Sequence, residues 1–258
     1  MKRRTLLKYG STGFLTALGL GVVGQWQTAA AQTSGPLSIQ WLGHTCFLFS
    51  GGGRRILVNP FRPIGCTAGY RPPNVNADIV MISSRLLDEG YVEGIPGNPQ
   101  LLSEPGSYEF TNMQVQGIST LHDREGGRRF GRNVVWRWNQ AGVSIVHLGG
   151  IAAPITIEER ILMGRPDVAL IPVGGGPKAY NAEEAAAAVQ LLNPRIVIPT
   201  HYRTAAADNN TCDIAGLDGF LAQMAGATIN RRGSDTRSVS AGSIPQNGPQ
   251  VEVLSYRF

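Results

Sequence analysis

The stretch Trp41-Leu42-Gly43-His44-Thr45-Cys46-Phe47-Leu48-Phe49 holds the reading from which the rest follows. Alternating apolar residues lead into a Gly-His turn, and a second apolar run leaves it, so two strands meet at a histidine. Upstream, Leu37-Ser38-Ile39-Gln40-Trp41 alternates with the period of two that a half-buried strand needs. Downstream, Gly51-Gly52-Gly53 makes a hairpin into a third strand, Arg54-Arg55-Ile56-Leu57-Val58. Gly65 to Val75 reads as a Pro/Gly loop, and Asp78 to Ile82 as a short buried strand.

Further strands are expected at Met113 to Ser119, Val134 to Trp138, Val143 to Val146, Asp167 to Ile171 and Arg195 to Ile198, and near Ser238 and Val251. Asn181 and Glu184 form the capping pair that opens a helix ended by Pro194, and a second helix is expected from Asp218 to Met224. Hairpin-joined strands early and alternating helices and strands late predict an α+β sandwich of two mixed sheets with helices outside.

Composition sets limits. Gly is 33 of 258 residues, well above the usual roughly 7%. The net charge is +5, but the first 31 residues hold four basic residues and no acid, which leaves +1 to the remaining 227. A body so close to neutral excludes a phosphate-neutralising nucleic-acid binder. No run of about 18 apolar residues exists, so no transmembrane span is expected.

Residues 1–31 read as an export signal. Arg3-Arg4-Thr5-Leu6-Leu7-Lys8 fits the twin-arginine pattern, a short apolar segment follows, and Ala29-Ala30-Ala31 offers a small-residue cleavage site. The expected product is a single domain, residues 32–258, in the periplasm or a thylakoid lumen. In that oxidising setting the loop cysteines Cys66 and Cys212 are a disulfide candidate, whereas Cys46 alternates with inward-facing residues and belongs to the core.

The four histidines, His44, His122, His147 and His201, all fall at strand ends. The order Trp41–Phe47, Ile56–Phe61, Asp78–Ser84, His122, Gly131–Val135, His147–Gly150 and Ile198–Arg203 resembles the metallo-β-lactamase superfamily, in the branch of ascorbate-phosphate lactonase-like hydrolases. The resemblance runs from about Ser38 to Arg203. It implies an αββα sandwich whose sheet edges carry two metal ions.

The ligands that the resemblance implies are mostly missing. Its His-x-His-x-Asp-His motif falls on Ser84, Leu86, Asp88 and Glu89, and its bridging Asp falls on Gly150. Asp88, His122 and His201 survive, while His44 and His147 match as pattern residues rather than ligands. A catalytic zinc needs three protein ligands and an open position, so the degenerate site predicts no bound ion. The fallback is one zinc, manganese or iron ion on Asp88, Glu89 and His201.

Without an ion, arginine side chains (Arg62, Arg124, Arg128 and Arg203) and histidine are expected to compensate Asp88 and Glu89, and the arginines, with Lys178 in a loop on the same face, to hold a small anionic ligand or a protein partner. The main functional expectation is therefore a non-metal binding or assembly protein, or an enzyme with a metal-free site. The alternative is a hydrolase of esters, lactones or phosphoesters with a remodelled single-ion centre.

Overall fold

Alternating burial along the chain sorts its strands into two sheets that share one core. The computed structural model describes residues 35–258; the export signal expected at 1–31 and its cleavage site lie outside them. The first sheet holds β1 (Leu37–Gly43), β2 (Cys46–Gly51), β3 (Arg54–Val58), β4 (Ile79–Met81) and β5 (Gln100–Leu102). The second begins with β6 (Gly106–Phe110), β7 (Met113–Leu121), β8 (Arg132–Gln140), β9 (Val143–His147), β10 (Val168–Pro172) and β11 (Ile196–Thr200). Late in the chain, β12 (Thr228–Arg231) and β14 (Gln250–Val253) join the second sheet, while β13 (Thr236–Val239) returns to the first.

The six-stranded sheet runs β13-β1-β2-β3-β4-β5, and the eight-stranded sheet runs β12-β14-β11-β10-β9-β8-β7-β6. Both are mixed: β3, β4 and β5 are mutually parallel, as are β9, β10, β11, β14 and β12, beside antiparallel hairpins. The central parallel strands β10 and β11 are buried along their whole length, as strands covered on both faces must be.

The sheets touch through large side chains. Phe49 of β2 meets Trp138 of β8 edge-on with ring centroids 4.9 Å apart. Polar atoms trapped between the sheets find partners: Trp136 Nε1 donates to the Ile82 carbonyl, and Gln140 Nε2 donates to the carbonyls of Gly51 and Arg54. Cys46 is buried and free, as its alternation predicts.

Among the described residues three helices flank the sheets: α1 (Ile157–Met163), α2 (Ala182–Leu192) and α3 (Asp218–Gln223). Asn181 caps α2, accepting from the backbone N–H groups of Glu183 and Glu184, while Glu184 reaches back to the Asn181 N–H. Asn193, in left-handed conformation, ends α2 one residue before Pro194. The helix α1 and the strands β5, β6 and β12 were not expected from the sequence.

Because β7, β9, β10 and β11 run parallel in one sheet and β1 and β4 run parallel in the other, their C-terminal ends open toward one edge. His44, Asp88, His122, His147 and His201 stand at or just after those ends. That edge is where open sheets place their ligands.

Candidate metal centre and its replacements

His44 and His201 reach the site edge through strained backbone. Both adopt left-handed φ, 52° and 50°, which non-glycine residues rarely do and which clusters at functional sites. The sharp turn at His44 also needs Gly43, at φ 114°, because a Cβ there would lie 2.6 Å from the Tyr70 ring. The result brings the two imidazoles together with ring centroids 4.4 Å apart.

Asp88 completes this group. His44, Asp88 and His201 each offer one ligand atom, and these atoms all lie within 4.8 Å of one another. Both ring nitrogens of His44, and Nδ1 of His201, are buried without a hydrogen-bond partner. Buried polar atoms are normally satisfied, so unpartnered imidazole nitrogens that face a carboxylate mark a place where a ligand or ion belongs. Burial, then the neighbouring His44 and the positive charge of Lys178, push the His201 pKa down to about 3, so its ring is neutral and its lone pair is available.

Glu89 does not join them. It is 2% exposed, and its Oε1 accepts from Ser84 Oγ at 2.7 Å and lies 2.9 Å from His122 Nε2. Burial alone would raise this carboxyl, but His122 beside it holds it well below the usual carboxylate range. Glu89 and His122 therefore face each other as a buried charge contact beside this group, although neither ring nitrogen of His122 has a hydrogen-bond partner. The donor group brought together is His44, Asp88 and His201, not the expected Asp88, Glu89 and His201.

Gly150 is what makes room for that pair. A Cβ at this position would sit 2.2 Å from His122 Nε2 and 3.0 Å from Glu89 Oε1. The absence of a side chain here lets His122 turn onto Glu89. Asn133 Oδ1 fixes the glycine by accepting its N–H at 2.9 Å. A two-ion centre does not fit these residues: Ser84, Leu86 and Gly150 bring no strong ligand, which leaves His122 alone against Glu89.

His147 holds the sheets together. Gly149 N–H donates to its Nδ1 at 3.1 Å, which leaves Nε2 to donate to the Thr45 carbonyl at 3.0 Å across the two sheets. Burial lowers its pKa to about 4.

The expectation that arginines replace the ion is overturned. Arg124 grips Glu184 and the carbonyls of Gly176 and Ala179. Arg203 donates to the Cys212 carbonyl and Asn209, and exposed Arg128 donates to the Glu125 carbonyl within its own loop. The guanidinium groups of Arg124, Arg128 and Arg203 are thus occupied within their own neighbourhoods, and exposed Arg62 makes no ion pair with Asp88. The cation that faces it is Lys178, whose ammonium donates to Asp88 Oδ2. Burial raises the Asp88 carboxyl, but His44 and Lys178 outweigh it and hold it well below the usual range.

An open cleft lies over these groups, lined by His44, Leu86, Asp88, Phe130, Lys178 and His201. Cys66 and Ile214 border it too, and Cys66 is bonded to Cys212 with Cα atoms 4.6 Å apart, as expected. Lys178 is the cation of this lining, against Asp88, Asp208 and Asp213. No helix among the described residues is long and apolar enough to cross a membrane.

Residues 38–201 match the beta-lactamase superfamily domain. A UPF0173 metal-dependent hydrolase of Thermoplasma acidophilum is 27% identical over 195 residues, 65% of this chain and 84% of that protein. One of Thermococcus onnurineus is 29% identical over 197 residues, covering 65% and 85%. A Thermotoga maritima crystal structure, assigned to the zn-dependent hydrolases of the metallo-beta-lactamase superfamily, is 28% identical with a TM-score of 0.67, covering 84% of this chain and 98% of that one. These likenesses favour a metal-dependent hydrolase over the expected metal-free site.

Proposed function

The chain belongs to the beta-lactamase superfamily through residues 38–201, and from that premise we propose that it is an exported hydrolase of esters, lactones or phosphoesters built around one divalent ion. The observation that carries this reading is the group His44, Asp88 and His201, with its unpartnered buried nitrogens. Three protein ligands with an open fourth position suit a catalytic zinc, and manganese or iron would accept the same donors. Such an ion supplies Lewis-acid polarisation of the scissile group and lowers the pKa of water.

The chain's own residues supply the rest. Asp88 remains ionised and His201 neutral, so both are ready to ligate without losing a proton. Leu86 and Phe130 line the cleft with apolar surface that limits water. The Glu89–His122 pair fills the place of the lost second centre and keeps the edge packed.

Elemental analysis of the purified protein should find about one equivalent of a transition metal. His201→Ala should lose it, together with any hydrolysis of a simple ester such as p-nitrophenyl acetate. A parent chain that stays metal-free after incubation with zinc would refute the single-ion hydrolase. It would favour the second reading, a binding or assembly protein of this fold, for which the Lys178 contact with Asp88 speaks.

Export is proposed on the twin arginines, the apolar segment that follows them and Ala29-Ala30-Ala31. Replacing Arg3 and Arg4 with lysine should leave unprocessed precursor in the cytoplasm, and normal processing of that variant would refute the route.

A further inference from the structure

Lys178 is the only lysine in residues 32–258, where arginine supplies the other basic side chains. It stands in the loop between β10 and α2, and its ammonium meets Asp88 from 90 residues away. Both side chains are mostly covered, 21% and 18% exposed. The loop is pinned on either side of the lysine. Arg124 donates to the carbonyls of Gly176 and Ala179 while it binds Glu184 in the first turn of α2. Lys178 is therefore aimed at Asp88 by neighbours whose own contacts are complete.

The atom it contacts is contested. Asp88 Oδ2 accepts from Lys178 and also lies 3.7 Å from His44 Nε2, within the group that offers three ligand atoms. A mostly buried carboxylate needs a positive partner. Two cations close to one oxygen repel each other strongly where water is scarce.

We propose that Lys178 is a tethered stand-in for the metal ion, and that a divalent ion enters the His44–Asp88–His201 group only by taking Asp88 from this ammonium. The inference rests on the single-ion reading above. Residue type supports it: a lysine is a compact charge on a flexible stem that can swing away, whereas a guanidinium would grip the carboxylate with a two-pronged fork. The chain then stays folded with or without the ion. Its apparent metal affinity is reduced by the fraction of molecules in which Lys178 holds Asp88.

Lys178→Met removes the competitor without shortening the stem much. Measured by competition with a chromophoric chelator, it should bind zinc at least tenfold more tightly than the parent chain. In EDTA it should melt at lower temperature than the parent, and zinc should restore it. Zinc affinities equal within twofold would overturn the proposal and leave the single-ion reading standing. No zinc binding by either chain would overturn both.

Should the variant not fold, the parent chain gives an independent test. Peptide mass spectrometry after brief acylation with an amine-reactive ester reads the Lys178 amine directly. Zinc should raise that labelling several-fold in the parent and not in His201→Ala. Unchanged labelling of a zinc-loaded parent would overturn the proposal.

Discussion

Gly150→Ala should destabilise the protein by about 3 kcal/mol or more, because a single methyl group drives apart the buried His122–Glu89 pair. The new Cβ would lie 2.2 Å from His122 Nε2 and 3.0 Å from Glu89 Oε1. His122 is fully buried and Glu89 2% exposed, so neither can move aside into solvent. Breaking a buried pair typically costs about 3–5 kcal/mol, against about 1–3 kcal/mol for overpacking alone. For a domain of this size, 3 kcal/mol lowers the melting temperature by roughly 6–12 °C. Gly216→Ala is the control, since a Cβ there has nothing within 4 Å and its φ is ordinary. Gly150→Ala melting within 2 °C of that control would refute the account of Gly150. Gly150→Asp, which places the superfamily's bridging residue here, should be at least as damaging without a second ion.

Loss of the Cys66–Cys212 bridge should have an effect of similar size. The bridge spans 146 residues of sequence and encloses the strands from β4 to β11. The chain-entropy treatment gives about 5 kcal/mol for a loop of that length, and measured bridges more commonly give about 2–4 kcal/mol. Chemical unfolding of Cys66→Ser, or of the parent in dithiothreitol, should show a lower midpoint with little change in slope. Equal midpoints with and without reductant would refute a stabilising role. The variant should also loosen the cleft, because Cys66 lines it and the Cys212 carbonyl anchors Arg203 two residues after His201.

The early hairpins were legible because Leu37–Trp41 and Arg54–Val58 alternate cleanly and glycines mark the turn between their neighbours. The helix α1 was not, although Thr156 and Glu159 form a capping box. Its apolar residues Ile157 and Ile161 are 75% and 73% exposed, so their spacing reports no buried face. The strand β6 is largely exposed and lacks a hydrophobic signal.

At the site, the losses could be read position by position: Ser84, Leu86 and Gly150 are visible as residues without strong donors. Lys178 could be placed on the site face with the arginines, but which of these cations meets Asp88 could not be read. Lys178 meets Asp88 across 90 residues of sequence, and no local pattern distinguishes it from the arginines that bind elsewhere. His44 becomes a candidate ligand through a left-handed turn that sets its side chain beside His201, and that geometry has no one-residue signature. The disulfide was legible for a different reason: both cysteines sit in loops at the site edge of a chain expected to leave the cytoplasm.

The strand order sets a timetable for making the molecule. Leu37 of β1 pairs with Val239 of β13, and β14 lies between β11 and β12. The opening strand of the domain thus waits for residues about 200 positions further along the chain to be synthesised, and until they arrive β1 presents an open edge, the kind of surface that recruits foreign strands. Closure is a late, long-range event, which slows folding. On the proposed export route, machinery that moves only completed domains would have to wait for β13 and β14, and the fold would by then have to hold without the Cys66–Cys212 bridge.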